Sequence, residues 1–137
     1  MKDVFEYSLK KLNDAYQRLE EGVKQTKDEL DQDGVIQRFE FTFELLWKAL
    51  KLYLEHQGII VKTPRESLVE AFRINLIIDE KIFLDMLEDR NNTSHIYDKA
   101  TSNKIFNRIK KKYLSEIAKI VNLLKARLRE LSRCQEK

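Results

Sequence analysis

Between residues 89 and 98 the chain reads Asp89-Arg90-Asn91-Asn92-Thr93-Ser94-His95-Ile96-Tyr97-Asp98, where groups able to move a proton and hold an anion stand close together. An imidazole titrates near neutrality, so His95 is suited to take or give a proton. A guanidinium stays charged and presents a planar fork of donors, so Arg90 suits a phosphate or a negative charge that develops during reaction. Asn91 and Tyr97 add hydrogen bonds. If the preceding helix ends near Asn92, the chain can fold Arg90 and His95 toward one cleft. The plainer reading is a polar connection tied down by its own Asp, Asn and Ser side chains, with His95 capping something. On composition alone that plainer reading is the better one, because an Arg and a His five residues apart are common.

Other chemistries find little support. There is no Gly-rich phosphate loop, no G-x-S-x-G, no H-E-x-x-H and no Cys paired with a base. His56 and His95 are the two histidines, and nothing in their spacing suggests a metal site or a cofactor. His56, beside Gln57-Gly58, is expected to serve the carbonyls and dipole of a helix end. The single cysteine, Cys134, excludes an internal disulfide and a thiolate cluster, and a reducing cytoplasm is the expected compartment. No apolar run approaches the ~20 residues that span a bilayer, and Met1-Lys2-Asp3-Val4-Phe5-Glu6 lacks a signal-peptide layout. A soluble chain with no membrane partner is expected.

The elements that must position Arg90 and His95 are helices. With 42% hydrophobic residues, three Gly and one Pro in 137 residues, sandwiches and barrels are excluded for want of turn punctuation. Phe5, Leu9, Leu12, Tyr16, Leu19 and Val23 form the stripe of a first helix over about 3–30, and Asp31-Gln32-Asp33-Gly34 reads as the turn after it. Phe39 to Trp47 locally imitates a strand, but apolar residues continue at helical spacing to Leu54, so length favours a helix over about 35–57, closed by Gly58. Only Glu40, Glu44, Lys48, Lys51 and Glu55 keep a polar stripe there, and Glu44 with Lys48 has the favourable order of an i,i+4 pair. A helix so apolar, with Phe41, Leu45 and Trp47 outside the main stripe, predicts a central position and a homodimer. Thr63-Pro64-Arg65-Glu66 starts a short helix to Arg73, and Asp79 caps another that reaches Asn92. A last basic helix over about 102–133 carries Ile109, Tyr113, Ile117, Ile120, Leu124, Leu128 and Leu131 on its inner face. The expected fold is all-α, one domain over 1–137: an antiparallel up-and-down four-helix-type bundle with an additional short helix.

Charge is unevenly spread. Residues 1–98 hold 14 Lys and Arg against 20 Asp and Glu, whereas 99–137 hold 12 against 3. A basic last third suggests a polyanion or an acidic partner surface, although a solvated helix face explains it equally well.

Arg90-x4-His95, with a polar Asn91 after the arginine late in an all-helical chain, resembles the R-x4–6-H motif of HEPN domains. Arg90-x4-His95-x-Tyr97 looks like the subgroup paired with a minimal nucleotidyltransferase. The stretch Phe39-Glu40-Phe41-Thr42-Phe43-Glu44-Leu45-Leu46-Trp47-Lys48-Ala49-Leu50-Lys51 is similar to the second helix of the nucleotidyltransferase substrate-binding protein family within that group. The resemblance implies a homodimer with the two Arg90/His95 loops facing each other. It also implies a metal-independent endoribonuclease toxin in which Arg90 and His95 carry catalysis and Asn91 assists. The partner nucleotidyltransferase would then act as antitoxin by transferring AMP to Tyr97. The alternative it carries is a non-catalytic substrate-binding subunit of that transferase.

Residue chemistry is compatible with the first of these. RNA brings its own nucleophile, the 2′-OH, so cleavage needs an acid or base and a cation for the phosphorane, roles that suit His95 and Arg90. Lys110, Lys111 and Lys112 are candidates for RNA or partner binding. Only Tyr113 stands near them, so a base-stacking platform is not expected there.

Overall fold

The computed structural model describes residues 2–93 and 98–135, and every described element is helical. Their order is α1 (Lys2–Lys24), α2 (Glu29–His56), α3 (Pro64–Arg73), α4 (Glu80–Asn92), α5 (Lys99–Arg108), a π turn (Ile109–Tyr113) and α6 (Leu114–Gln135). Phe5 meets Tyr53 while Arg38 reaches the Arg18 carbonyl, so α1 and α2 run antiparallel. Ser102 meets Asp33 and Tyr113 stacks on Phe39, which sets α5 and the π turn parallel to α2. The result is the expected up-down-up-down bundle of α1, α2, α4 and α5–α6, with α3 as the short extra helix.

The boundaries follow local capping. Asp28 accepts from the Asp31 N–H at 2.9 Å, so α2 begins at Glu29 and the expected turn at residues 31–34 is instead its first turn. The chain reverses over 25–28. Gly34 is tolerated inside the helix at a cost of about 1 kcal/mol relative to Ala, with Val35, Ile36 and Phe39 buried immediately after it. Gly22 has a packing reason: a Cβ there would lie 3.1 Å from the Arg38 guanidinium, so its bareness lets α1 approach α2 closely. Thr63 and Asp79 cap α3 and α4 as expected. Asp98 accepts from Thr101, so the last helix starts at Lys99, earlier than its apolar stripe indicated.

Two helices end in the same hydrogen-bonded motif. Gly58 has φ 79°, with Ile59 N–H on the Leu54 carbonyl and Gly58 N–H on the Glu55 carbonyl. Asn75 has φ 66° and repeats the pattern after α3, letting Leu76 fold back into the core. His56 lies in the last turn of α2, at the helix end where it was expected, and its ring packs edge-on to Phe5 at 6.2 Å.

Helix α2 is central and touches α1, α3, α4 and α5. Leu45 and Trp47 are half-buried against that core, and of the three residues outside the main stripe only Phe41 is exposed, at 58%.

The π turn also has a sequence cause. Ile105, Ile109, Tyr113 and Ile117 are all buried at successive spacings of four. In an α-helix of 3.6 residues per turn, three such steps rotate the stripe by about 120°. A wider turn at 109–113 absorbs the drift and keeps all four inside. It also brings Tyr113 to Asp89, a carboxylate only 5% exposed, whose two oxygens accept from Tyr113 Oη at 2.5 Å and Arg108 Nη1 at 2.7 Å.

Asp89→Ala strands the buried Tyr113 hydroxyl and removes this tie. Urea unfolding is expected to show a loss of about 1–3 kcal/mol, and an unchanged midpoint would contradict it.

Candidate functional site

Arg90 sits in the last turn of α4, which is closed by the Thr93 hydroxyl donating to the Arg90 carbonyl at 2.7 Å. Its side chain crosses to α2, where Nη2 donates to Glu44 Oε2 at 2.8 Å, while Nη1 donates to Asn91 Oδ1 at 3.2 Å. Glu44 also meets Lys48 at 3.4 Å, the i,i+4 pair expected from sequence. The guanidinium and the carboxylate remain 36% and 31% exposed, so Arg90 keeps donors turned to solvent. A groove gathers Gln37, Glu40, Phe41 and Glu44 from α2 with Arg90, Asn91 and Thr93 from the end of α4.

The electrostatics favour this arrangement at neutral pH. Partial burial pushes the Glu44 carboxyl upward, but the nearby Trp47 indole N–H, Arg90 and Lys48 outweigh it and hold the group below its ordinary value. The indole meets no acceptor at hydrogen-bonding geometry, so its contribution is one of proximity. A carboxylate three residues from Phe41 thus stays ionised and keeps the Arg90 fork in one orientation.

On the other flank of α4, Asp89 holds Arg108 and Tyr113. Hydrogen bonding to Asp89 raises the Arg108 guanidinium, and burial, followed by the same carboxylate, raises the Tyr113 phenol well above its ordinary range. Neighbouring residues of one helix thus face opposite sides, Arg90 toward α2 and Asp89 toward α5.

Arg90 and Asn91 both line this groove and are joined by a hydrogen bond. His95 and Tyr97, the candidate proton carrier and modification site, lie in 94–97, outside the described residues. Lys110, Lys111 and Lys112 are exposed on the π turn, and none of them lines the Arg90 groove. Three contributors were not foreseen from sequence. The polar stripe of α2 names Lys48 and not Arg90 as the partner of Glu44, and sequence gives Asp89 and Tyr113 no polar role, although a tyrosine on an apolar stripe signals a hydroxyl in need of a partner. Among the described residues no three of His, Cys, Asp and Glu converge as a metal would need. No helix among them is long and apolar enough to cross a membrane.

Residues 7–126 match the sequence profile described as nucleotidyltransferase substrate binding protein like. The chain belongs to that family. A Haemophilus influenzae relative named probable ribonuclease HepT is 31% identical, the match covering 74% of this chain and 82% of the relative. A Thermus thermophilus crystal structure is 32% identical with a TM-score of 0.73, over 86% of this chain and 98% of that one. A second solved structure, from Haemophilus influenzae, is described as showing the fold of a substrate binding domain of a nucleotidyltransferase. It matches with a TM-score of 0.63 at 24% identity, over 91% of this chain and 99% of that one, and so speaks for the fold alone. This family member thus has the helical architecture of those relatives, and its Arg90 groove lies within the matched residues.

Because the Glu44 pKa is lowered on folding, the contact with Arg90 contributes above the ordinary value of 4.5 and is lost as pH falls through the lower folded value. Carboxyl NMR should place the Glu44 titration below 4.5, moving upward in Arg90→Ala. The same substitution should cost less than about 1 kcal/mol in urea unfolding, as an exposed ion pair does. A large loss would make Arg90 a structural residue.

Proposed function

We propose that this chain is the HEPN component of a two-gene module with a minimal nucleotidyltransferase, and that it is an endoribonuclease toxin acting without a metal ion. The observation that carries this reading is the Arg90 fork, oriented by Glu44 and Asn91 yet open to a groove. The printed name of the Haemophilus relative supports it. In the proposed reaction His95 takes the proton of an RNA 2′-OH, whose oxygen attacks the adjacent phosphorus. Arg90, assisted by Asn91, meets the charge of the phosphorane, the bond from phosphorus to the 5′-oxygen breaks, and that oxygen takes a proton from water. Silencing follows when the partner transfers AMP from ATP: the Tyr97 oxygen bonds to the α-phosphorus and pyrophosphate leaves. The added phosphate then competes for Arg90. Lys110, Lys111 and Lys112 provide cationic surface for RNA or the partner.

A second reading, a substrate-binding subunit without catalysis, rests on the family description itself. Toxicity on expression, relieved by His95→Ala, separates the two. Arg90→Ala and His95→Ala should each lower cleavage by at least about 100-fold with little change in melting. Intact-mass measurement after incubation with the nucleotidyltransferase and ATP should show one AMP on the wild type and none on Tyr97→Phe, which keeps cleaving. Wild type that stays unmodified would refute the switch.

The same reading includes a homodimer. Phe41 is the exposed aromatic that shares the Arg90 groove, so a second copy seated on this face of α2 would set two grooves side by side. Sedimentation should give a dimer at micromolar concentration and a monomer for Phe41→Lys. A wild-type monomer would remove this part.

A further inference from the structure

We propose that the cleft between α4 and the α5–π-turn wall is a phosphate track for a single strand of nucleic acid, carried by Lys104, Arg108 and Lys112. This rests on the reading that the chain handles RNA, and it says where the strand lies beyond the Arg90 groove. The cleft has a volume of about 570 Å³ and runs from Lys81 to Asn92 along α4. Lys104, Arg108 and Lys112 stand four residues apart on its opposite wall, so they form one row down one face. The consecutive run Lys110, Lys111 and Lys112 forms no such row, because neighbours on a helix point about 100° apart. Of the three only Lys112 lines the cleft.

The row has cations to offer. Lys104 and Lys112 meet no carboxylate at ion-pair distance among the described residues. Arg108 spends one nitrogen on buried Asp89 and remains 46% exposed, so its fork is held in place with donors free. The α4 wall carries Asp85, Glu88 and Asp89 against the four lining cations Lys81, Lys104, Arg108 and Lys112, with Lys81 3.0 Å from Asp85 and Arg108 2.7 Å from Asp89. That leaves Glu88 as the one lining carboxylate without a cation at ion-pair distance among the described residues. A phosphate backbone would therefore lie against the α5 wall and away from Glu88. A groove of positive charge that follows the backbone is how single strands are held without sequence preference. The cleft ends at Asn92, two residues past Arg90, so a strand leaving it reaches the end of α4 that carries the candidate site.

The test uses the full chain and a 2′-O-methyl oligoribonucleotide, which binds without offering a 2′-OH to cleave. Fluorescence anisotropy across a salt series gives the slope of log K against log salt, near −0.7 per phosphate contact for single strands. Lys104→Gln with Lys112→Gln should flatten the slope by about 1.4, and Glu88→Gln should tighten binding. Lys110→Gln with Lys111→Gln removes the same charge and should change the slope by less than half as much. Equal effects of the two doubles, or no salt-dependent binding by wild type, would overturn the track. So would loss of nucleotidyltransferase binding in the cleft double with strand affinity intact, which would assign the cleft to a protein partner. A chain that binds along this row but never cleaves leaves the track standing and removes the ribonuclease reading alone.

Discussion

A carboxylate withdrawn from water costs several kcal/mol unless its oxygens are met, and Asp89 is met on both by groups from another helix. Tyr113 and Arg108 reach it from the π turn and the end of α5. Because Asp89 lies in α4 and its partners lie beyond residue 98, this contact closes the corner that brackets the Arg90-to-Tyr97 stretch. The π turn belongs to the same constraint. It absorbs the drift of four apolar residues spaced by four and places the phenol where the buried acid requires it.

That tie leaves Arg90 free of structural duty. Asp89 faces inward with its partners, and the next residue faces α2, where its main partner is a half-exposed glutamate. Such a pair contributes little to stability because water screens it and both side chains lose freedom. It does hold a guanidinium in one orientation at low energetic cost. An incoming phosphate meets the donors of Arg90 that are turned to solvent and need not break open a core. Rigid anchor and available cation, one residue apart, are what the proposed chemistry asks of this helix end.

Much of the architecture was legible because it follows from local pattern. The stripes of α1 and α2, the Thr63-Pro64 start and the Asp79 cap depend on neighbours within one or two turns. The turn expected at 31–34 failed for a local reason too: Asp28 captured the cap upstream, and Gly34 was carried by the buried residues that follow it. Contacts between distant residues were not legible. Nothing near Glu44 says that its partner is 46 residues away, and nothing near Asp89 names Tyr113. The Lys110–Lys112 run is exposed on the π turn, but that Lys112 shares a wall with Lys104 and Arg108 depends on the helix phase and not on closeness in sequence.

Cleavage chemistry offers the most direct test of the central claim, that Arg90 serves a reaction whose nucleophile comes from RNA itself. Attack by a 2′-OH leaves a 2′,3′-cyclic phosphate on one fragment and a 5′-hydroxyl on the other. The ends should therefore be read by mass spectrometry after incubating purified protein with single-stranded RNA in excess chelator. The account predicts cyclic phosphate ends from the wild type and none from a folded Arg90→Ala protein. Fragments ending in 3′-hydroxyl and 5′-phosphate, or the same cyclic ends from Arg90→Ala, would contradict it.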